Sequence, residues 1–177
     1  GFNRALLLLL SADGKRLEGS IGVAPETQND AYRIWGEISK ITPREDEPEK
    51  ILETYDKMAY NRDTKINSLA RQISIPIEGS STMFSECVFK KEPVIITKEC
   101  AETGACADFT RLWGNPVFAM VPMVARNKVV GVIIADNLYN GKEITEPYLD
   151  ALAYFADQAG LAIENARLYK SLNEKME

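Results

Sequence analysis

Histidine is absent from all 177 residues. That removes the commonest general base, the commonest haem ligand and the commonest transition-metal ligand together, so Ser-His-Asp and Cys-His catalysis are excluded. Cysteine is scarce and odd in number. Cys87, Cys100 and Cys106 cannot form a fully paired secreted framework, and their spacings lack the close pairing of structural zinc sites. The expectation is a reducing, cytoplasmic setting with no metal. Long apolar runs are missing too: the longest, Ala5 to Leu10, covers six residues, where a membrane span needs roughly 20. Positive charge is not in excess. Lys plus Arg total 21 against 26 Asp plus Glu, a net charge of -5, the wrong sign for a domain that would neutralise nucleic-acid phosphates. What is present, 45% hydrophobic and 27% charged residues, suits a single domain over 1–177 with a sizeable core. The sequence opens at Gly1 without a Met, directly in an apolar run, and is read as a segment of a longer polypeptide.

Hydrophobic periodicity orders the elements. Phe2 to Leu10 reads as a strand buried on both faces, and Asp13-Gly14 as the turn of a hairpin. The alternation Leu17, Gly19, Ile21, Val23 then predicts a half-exposed partner strand. Thr27 and Asp30 resemble a capping box before a helix with Ala31, Ile34, Trp35, Ile38 and Ile41 on one face. The charged, two-proline run Thr42 to Lys50 predicts a kink, and Ile51 to Ala59 a second amphipathic helix.

Further on, Ile73 to Ile77 reads as a short strand that Pro76 confines to an edge or a bulge. Gly79-Ser80-Ser81 supplies a loop and cap for a helix to about Lys90, and Pro93 to Thr97 a further strand. Lys98 to Asn115 shows no regular period and reads as a long loop of the kind that covers functional sites. Val117 to Ala125 and Val129 to Ala135 form an antiparallel hairpin around Arg126-Asn127-Lys128. A helix capped by Thr145 and opened by Pro147 then runs toward Glu177, about 45 Å at 1.5 Å per residue. It carries two stripes. Leu149, Leu152, Ala156, Ala159, Ile163 and Ala166 face the sheet, while Leu161, Asn165, Leu168 and Leu172 form a seam for a second copy, the Asn fixing register.

This order of elements resembles that of GAF domains. The resemblance is carried by Val121-Pro122-Met123-Val124-Ala125, by Val129 to Asn137 and by Gln158 to Ala166, which look like the family's last two strands and closing helix, and it covers essentially the whole chain. It implies an α+β fold: a central antiparallel sheet of about six strands flanked by helices, with a long C-terminal helix. With strands counted along the chain, the expected order is 2-1-6-5-3.

The family is known for small-molecule sensing and dimerisation ahead of output domains. The resemblance therefore implies a non-catalytic module of bacterial signal transduction, such as two-component or chemotaxis systems. It would bind a small molecule and act through a dimeric helix, with residues from about 165 to 177 leading to a histidine kinase, diguanylate cyclase or chemoreceptor region. The alternative is a relay module without a ligand. The Asn-Lys-Phe-Asp-Glu set of cyclic-nucleotide binders is missing, although Asn140, Phe155 and Asp157 occur separately, and bilin or haem attachment would need a His. The cofactor is left unassigned. Candidate ligand contacts are Trp35, Phe84, Arg111, Trp113 and Phe118, against the commoner role of aromatics in cores. Cys100 and Cys106 are candidates for a redox pair or, by resemblance to free methionine sulfoxide reductases, a thiol enzyme that here lacks the family's His.

Overall fold

Two tight hairpins set the middle of a six-stranded antiparallel sheet. The computed structural model describes residues 2–40, 64–79, 82–102 and 104–176; of residues 34, 35 and 37–40 only the backbone is described. The kink at 42–50 and the helix expected over 51–59 lie outside these residues. The elements are β1 (Arg4–Leu10), β2 (Arg16–Val23), α1 (Gln28–Lys40), α2 (Lys65–Ala70), β3 (Ser74–Pro76), α3 (Met83–Lys90) and β4 (Val94–Ile96). A 3-10 turn (Cys100–Glu102), α4 (Gly104–Trp113), β5 (Phe118–Ala125), β6 (Lys128–Asp136) and α5 (Glu146–Met176) follow.

Turn chemistry explains both hairpins. At the first, Asp13 Oδ1 accepts from the Ser11 hydroxyl at 2.6 Å and from the Lys15 amide at 3.0 Å, and Gly14 takes φ +72°. At the second, Arg126 and Asn127 both have positive φ, 48° and 65°, as a two-residue turn matching the strand twist requires. Thr27 does cap α1: its hydroxyl donates to Asp30 Oδ2 at 2.9 Å and accepts from the Asp30 amide at 3.1 Å.

The strand order is β3-β2-β1-β6-β5-β4. The central run 2-1-6-5 agrees with expectation. The third strand does not lie beside the fifth: β3 pairs with β2, Leu17 opposite Ile75, and β4 occupies the place next to β5. Pro76 on that edge strand needs no ladder partner on its outer side. Two other expectations are corrected. The segment 98–115 is not an irregular loop, because Cys106, Phe109 and Trp113, all buried, form the inner face of the ten-residue helix α4. The cap of α3 is Thr82, whose hydroxyl accepts from the Ser85 amide at 3.2 Å.

The faces of β2 also differ from simple alternation. The register shifts between Leu7 and Leu8, leaving Ser20 as an extra residue, so that beyond it Ile21 is exposed and Gly22 is buried. A one-residue bulge exchanges the two faces of a strand. Gly22 now meets Ile66 of α2, where an added Cβ would come within 2.5 Å of Ile66 Cγ1.

The sheet separates two apolar cores. On one face Leu6, Leu8, Leu17, Phe118, Met120, Val132 and Ile134 pack with α2, α3 and α4. On the other, Val121, Met123, Ala125, Val130 and Ile133 pack with α5 through Ala156, Leu149, Leu152, Ala159 and Ile163. Gly160 allows the closest approach: a Cβ there would stand 3.1 Å from the Val124 amide nitrogen.

Candidate functional site

Charges are costly inside apolar strands unless paired, and β1 begins with one. Arg4 lies opposite Asp136 in the antiparallel register, so a cation at one strand's start meets an anion at the neighbour's end. Arg4 Nε donates to Asp136 Oδ1 at 2.9 Å, and Nη2 donates to Oδ2 and, at 3.0 Å, to the Trp113 carbonyl. The guanidinium also stacks on the Trp113 ring, its Cζ 3.9 Å from the centroid. Asp136 is fully buried and accepts further bonds from Asn115 Nδ2 at 3.0 Å and the Leu138 amide at 3.3 Å. This group ties the middle of the sheet to the C-terminal end of α4.

Beside it opens a cleft of about 490 Å³. Its walls include Arg4, Lys65, Ile66, Leu112, Trp113 and Tyr139, on the sheet face opposite α5. Tyr139 donates its hydroxyl to the Pro25 carbonyl at 2.9 Å, and burial pushes its phenol above the ordinary value. Arg4 Nη1 takes no hydrogen bond among the described residues, and the Trp113 indole N–H is buried without an acceptor there. The cleft thus combines charged and polar groups, Arg4, Glu26, Lys65 and Tyr139 among them, with the apolar Ile66, Leu69 and Leu112, a concave mixture that can hold a small polar molecule.

Of the four expected ligand contacts whose side chains are described, Trp113 lines this cleft and Phe84, Arg111 and Phe118 do not. Phe84 and Phe118 are fully buried and pack around Phe109, with ring centroids 5.4 and 5.2 Å from it. Arg111 is exposed and pairs with Asp108 at 3.0 Å. The Trp35 side chain lies outside the described residues. Sequence reading missed Arg4, Lys65 and Tyr139. For Arg4 a signal existed, since an arginine heading a strand buried on both faces demands a buried partner.

The three thiols are free. Cys100 and Cys106 line one small cleft with Thr82, Met83 and Glu86. Burial raises Cys106 most, the Met83 backbone opposes this, and nearby Cys100 adds to it. Cys87 is pushed up to about 12 by burial alone. Among the described residues, no three Cys, Asp or Glu groups are arranged to hold a metal ion, and no helix is long and apolar enough to cross a membrane.

Leu149, Leu152, Ala156, Ala159 and Ile163 of α5 pack on the sheet, whereas Ala166, expected on the same side, is exposed. Leu161, Leu168 and Leu172 stand 43%, 39% and 58% exposed, and Asn165 is exposed with them.

A protein-family model described as the GAF domain matches residues 1–163. Solved structures share the fold. A methyl-accepting chemotaxis protein, residues 122 to 287, aligns with a TM-score of 0.59 at 16% identity, over 96% of this chain and 82% of that one. The GAF domain of a two-component sensor histidine kinase from Bacillus halodurans gives 0.56 at 14%, over 96% and 86%. A GAF domain/HD domain protein from Geobacter sulfurreducens gives 0.59 at 9%, over 95% and 84%. No curated protein matches the chain.

Proposed function

The chain belongs to the GAF domain family, and we propose that it is a cytoplasmic, non-catalytic sensory module of a bacterial signalling protein. A small molecule occupies the cleft bounded by Arg4, Trp113 and Tyr139. The observation that carries this reading is that cleft, beside the Arg4–Asp136 pair and on the sheet face opposite α5. The exposed row Leu161, Asn165, Leu168 and Leu172 meets the same row of a second copy, and residues from about 165 lead to an output domain. Fold relatives from a chemotaxis protein and a sensor histidine kinase support an output of that kind. A binding ligand biases the output only through its difference in affinity for two arrangements, typically about 1–3 kcal/mol.

A thermal-shift screen against nucleotides, amino acids, organic acids and aromatic metabolites tests the ligand. A ligand at 100 times its Kd adds about 2.7 kcal/mol of stability. Hits should vanish in Leu112→Glu, which alters an exposed wall of the cleft. No hit would leave the alternative, a relay module that dimerises without a ligand. Replacing Leu168 and Leu172 together by Glu should yield folded monomers in sedimentation, and a double variant that remains dimeric would overturn the seam.

A further inference from the structure

The cleft at the N-terminal end of α4 has its own chemistry, independent of any ligand beside Arg4. Cys100, half-buried in the 3-10 turn, and Cys106, buried on the first turns of α4, both line a space of about 320 Å³. Burial pushes the Cys106 thiol up, the Met83 backbone at the start of α3 opposes this in part, and neighbouring Cys100 adds to it, so Cys100 is the thiol that reacts first. The Thr97 hydroxyl donates to Cys100 Sγ at 3.6 Å. Between the two cysteines Gly104 takes φ +56° with no heavy atom within 4 Å of a would-be Cβ, so the joint turns in open space. The third thiol, Cys87, is fully buried on α3 and lines no part of this cleft.

We propose that Cys100 and Cys106 are a reversible dithiol–disulfide site served by oxidised low-molecular-weight disulfides. Cys100, the more exposed, attacks one sulfur of the small disulfide as its thiolate, and the other half leaves as a thiol carrying the proton. Cys106 then attacks Cys100 Sγ in the mixed disulfide and expels the second half as a thiol. Two protein thiols are oxidised and one small disulfide is reduced to two thiols. The bond would staple the 3-10 turn to the helix that carries Phe109 and Trp113.

The test is incubation of the native protein with excess oxidised glutathione, an alkylating quench and peptide mapping. Free thiols should fall from the three cysteines present to one, Cys87, with a single peptide pair linked through Cys100 and Cys106. Dithiothreitol should restore all three. Cys106→Ser should accumulate glutathione on Cys100, and Cys87→Ala should leave the linkage unchanged, circular dichroism confirming that both variants are folded. A wild-type protein that stops at glutathionylated Cys100, stays fully reduced or links Cys87 overturns the proposal.

Discussion

Removing the Asp136 carboxylate deprives Arg4 of its buried partner charge. The carboxylate is fully buried and holds four donors: two from Arg4, the Asn115 amide and the Leu138 backbone N–H. Asp136→Ala leaves a guanidinium whose side chain is 10% exposed without its counter-charge, together with two orphaned N–H groups. Breaking a buried pair from one side costs about 3–5 kcal/mol. For a chain of this size each kcal/mol moves Tm by about 2–4 °C, so the expected loss is roughly 6–20 °C. Urea unfolding followed by tryptophan fluorescence and circular dichroism gives the free energy and checks that the transition is two-state. Arg4→Met combined with Asp136→Leu should be less damaging than Asp136→Ala alone, because no charge then remains unpaired. A loss under about 1 kcal/mol for Asp136→Ala, or a double variant worse than the single one, would refute the view that this pair fastens α4 to the sheet.

Gly131→Ala should cost about 1–3 kcal/mol, since the new Cβ would overlap the Leu8 carbonyl oxygen of the neighbouring strand, which cannot step aside as a side chain does; an unchanged urea midpoint would contradict it. Gly160→Ala should cost less, because its tightest contacts stand at 3.1–3.2 Å and the gain in helix propensity, about 1 kcal/mol, offsets them. Stability should fall as pH rises from 9.0, the ordinary thiol value, toward about 12, where Cys87 titrates in the folded state. The unfolded chain releases this proton first, so the buried thiol contributes a slope of up to about 1.4 kcal/mol per pH unit. Cys87→Ala should flatten the unfolding free energy measured across that window, and equal slopes in the two proteins would dismiss the argument.

The elements that sequence made legible are those whose pattern is local. Leu6 to Leu10 and Val129 to Ala135 are too apolar for anything but central strands, and the turns at Gly14 and Asn127 carry their own φ requirement. The bulge at Ser20 has no such signature. It is set by the pairing of β2 with β1, so Ile21 lies on the face opposite to the one that alternation predicts. β3 is three residues long, too short to announce its neighbour. The steps of three and four from Cys106 through Phe109 to Trp113 do spell a helix, but Gly104 and Gly114 frame them as a loop. For the site, aromatic size pointed to Phe84 and Phe118, which the core absorbs. Arg4 at the head of an apolar strand signals a buried partner, but which carboxylate that is stays hidden because Asp136 lies 132 residues away.

The pair beside the cleft is anchored on a strand that α5 also touches. Asp136 ends β6, and the same strand sends Val132 and Ile134 toward the core beneath α4 and Val130 and Ile133 toward α5. A change at the Arg4 and Trp113 cluster therefore has a covalent path to the helix through one strand, without crossing a solvent gap. The contact at its far side is unusually direct, since Gly160 lies against the backbone of Met123 and Val124, where β5 and β6 change register. Helix backbone against strand backbone leaves no flexible side chain to absorb a displacement. From Gly160 to Leu172 the helix runs about 18 Å, so a tilt of roughly 5° at the sheet would move Leu172 by about 1.6 Å. Shifts of about 1–2 Å at helix interfaces are the size used by known switching proteins, so on the proposed sensory reading the close packing at Gly160 would let this one helix act both as clamp and as lever.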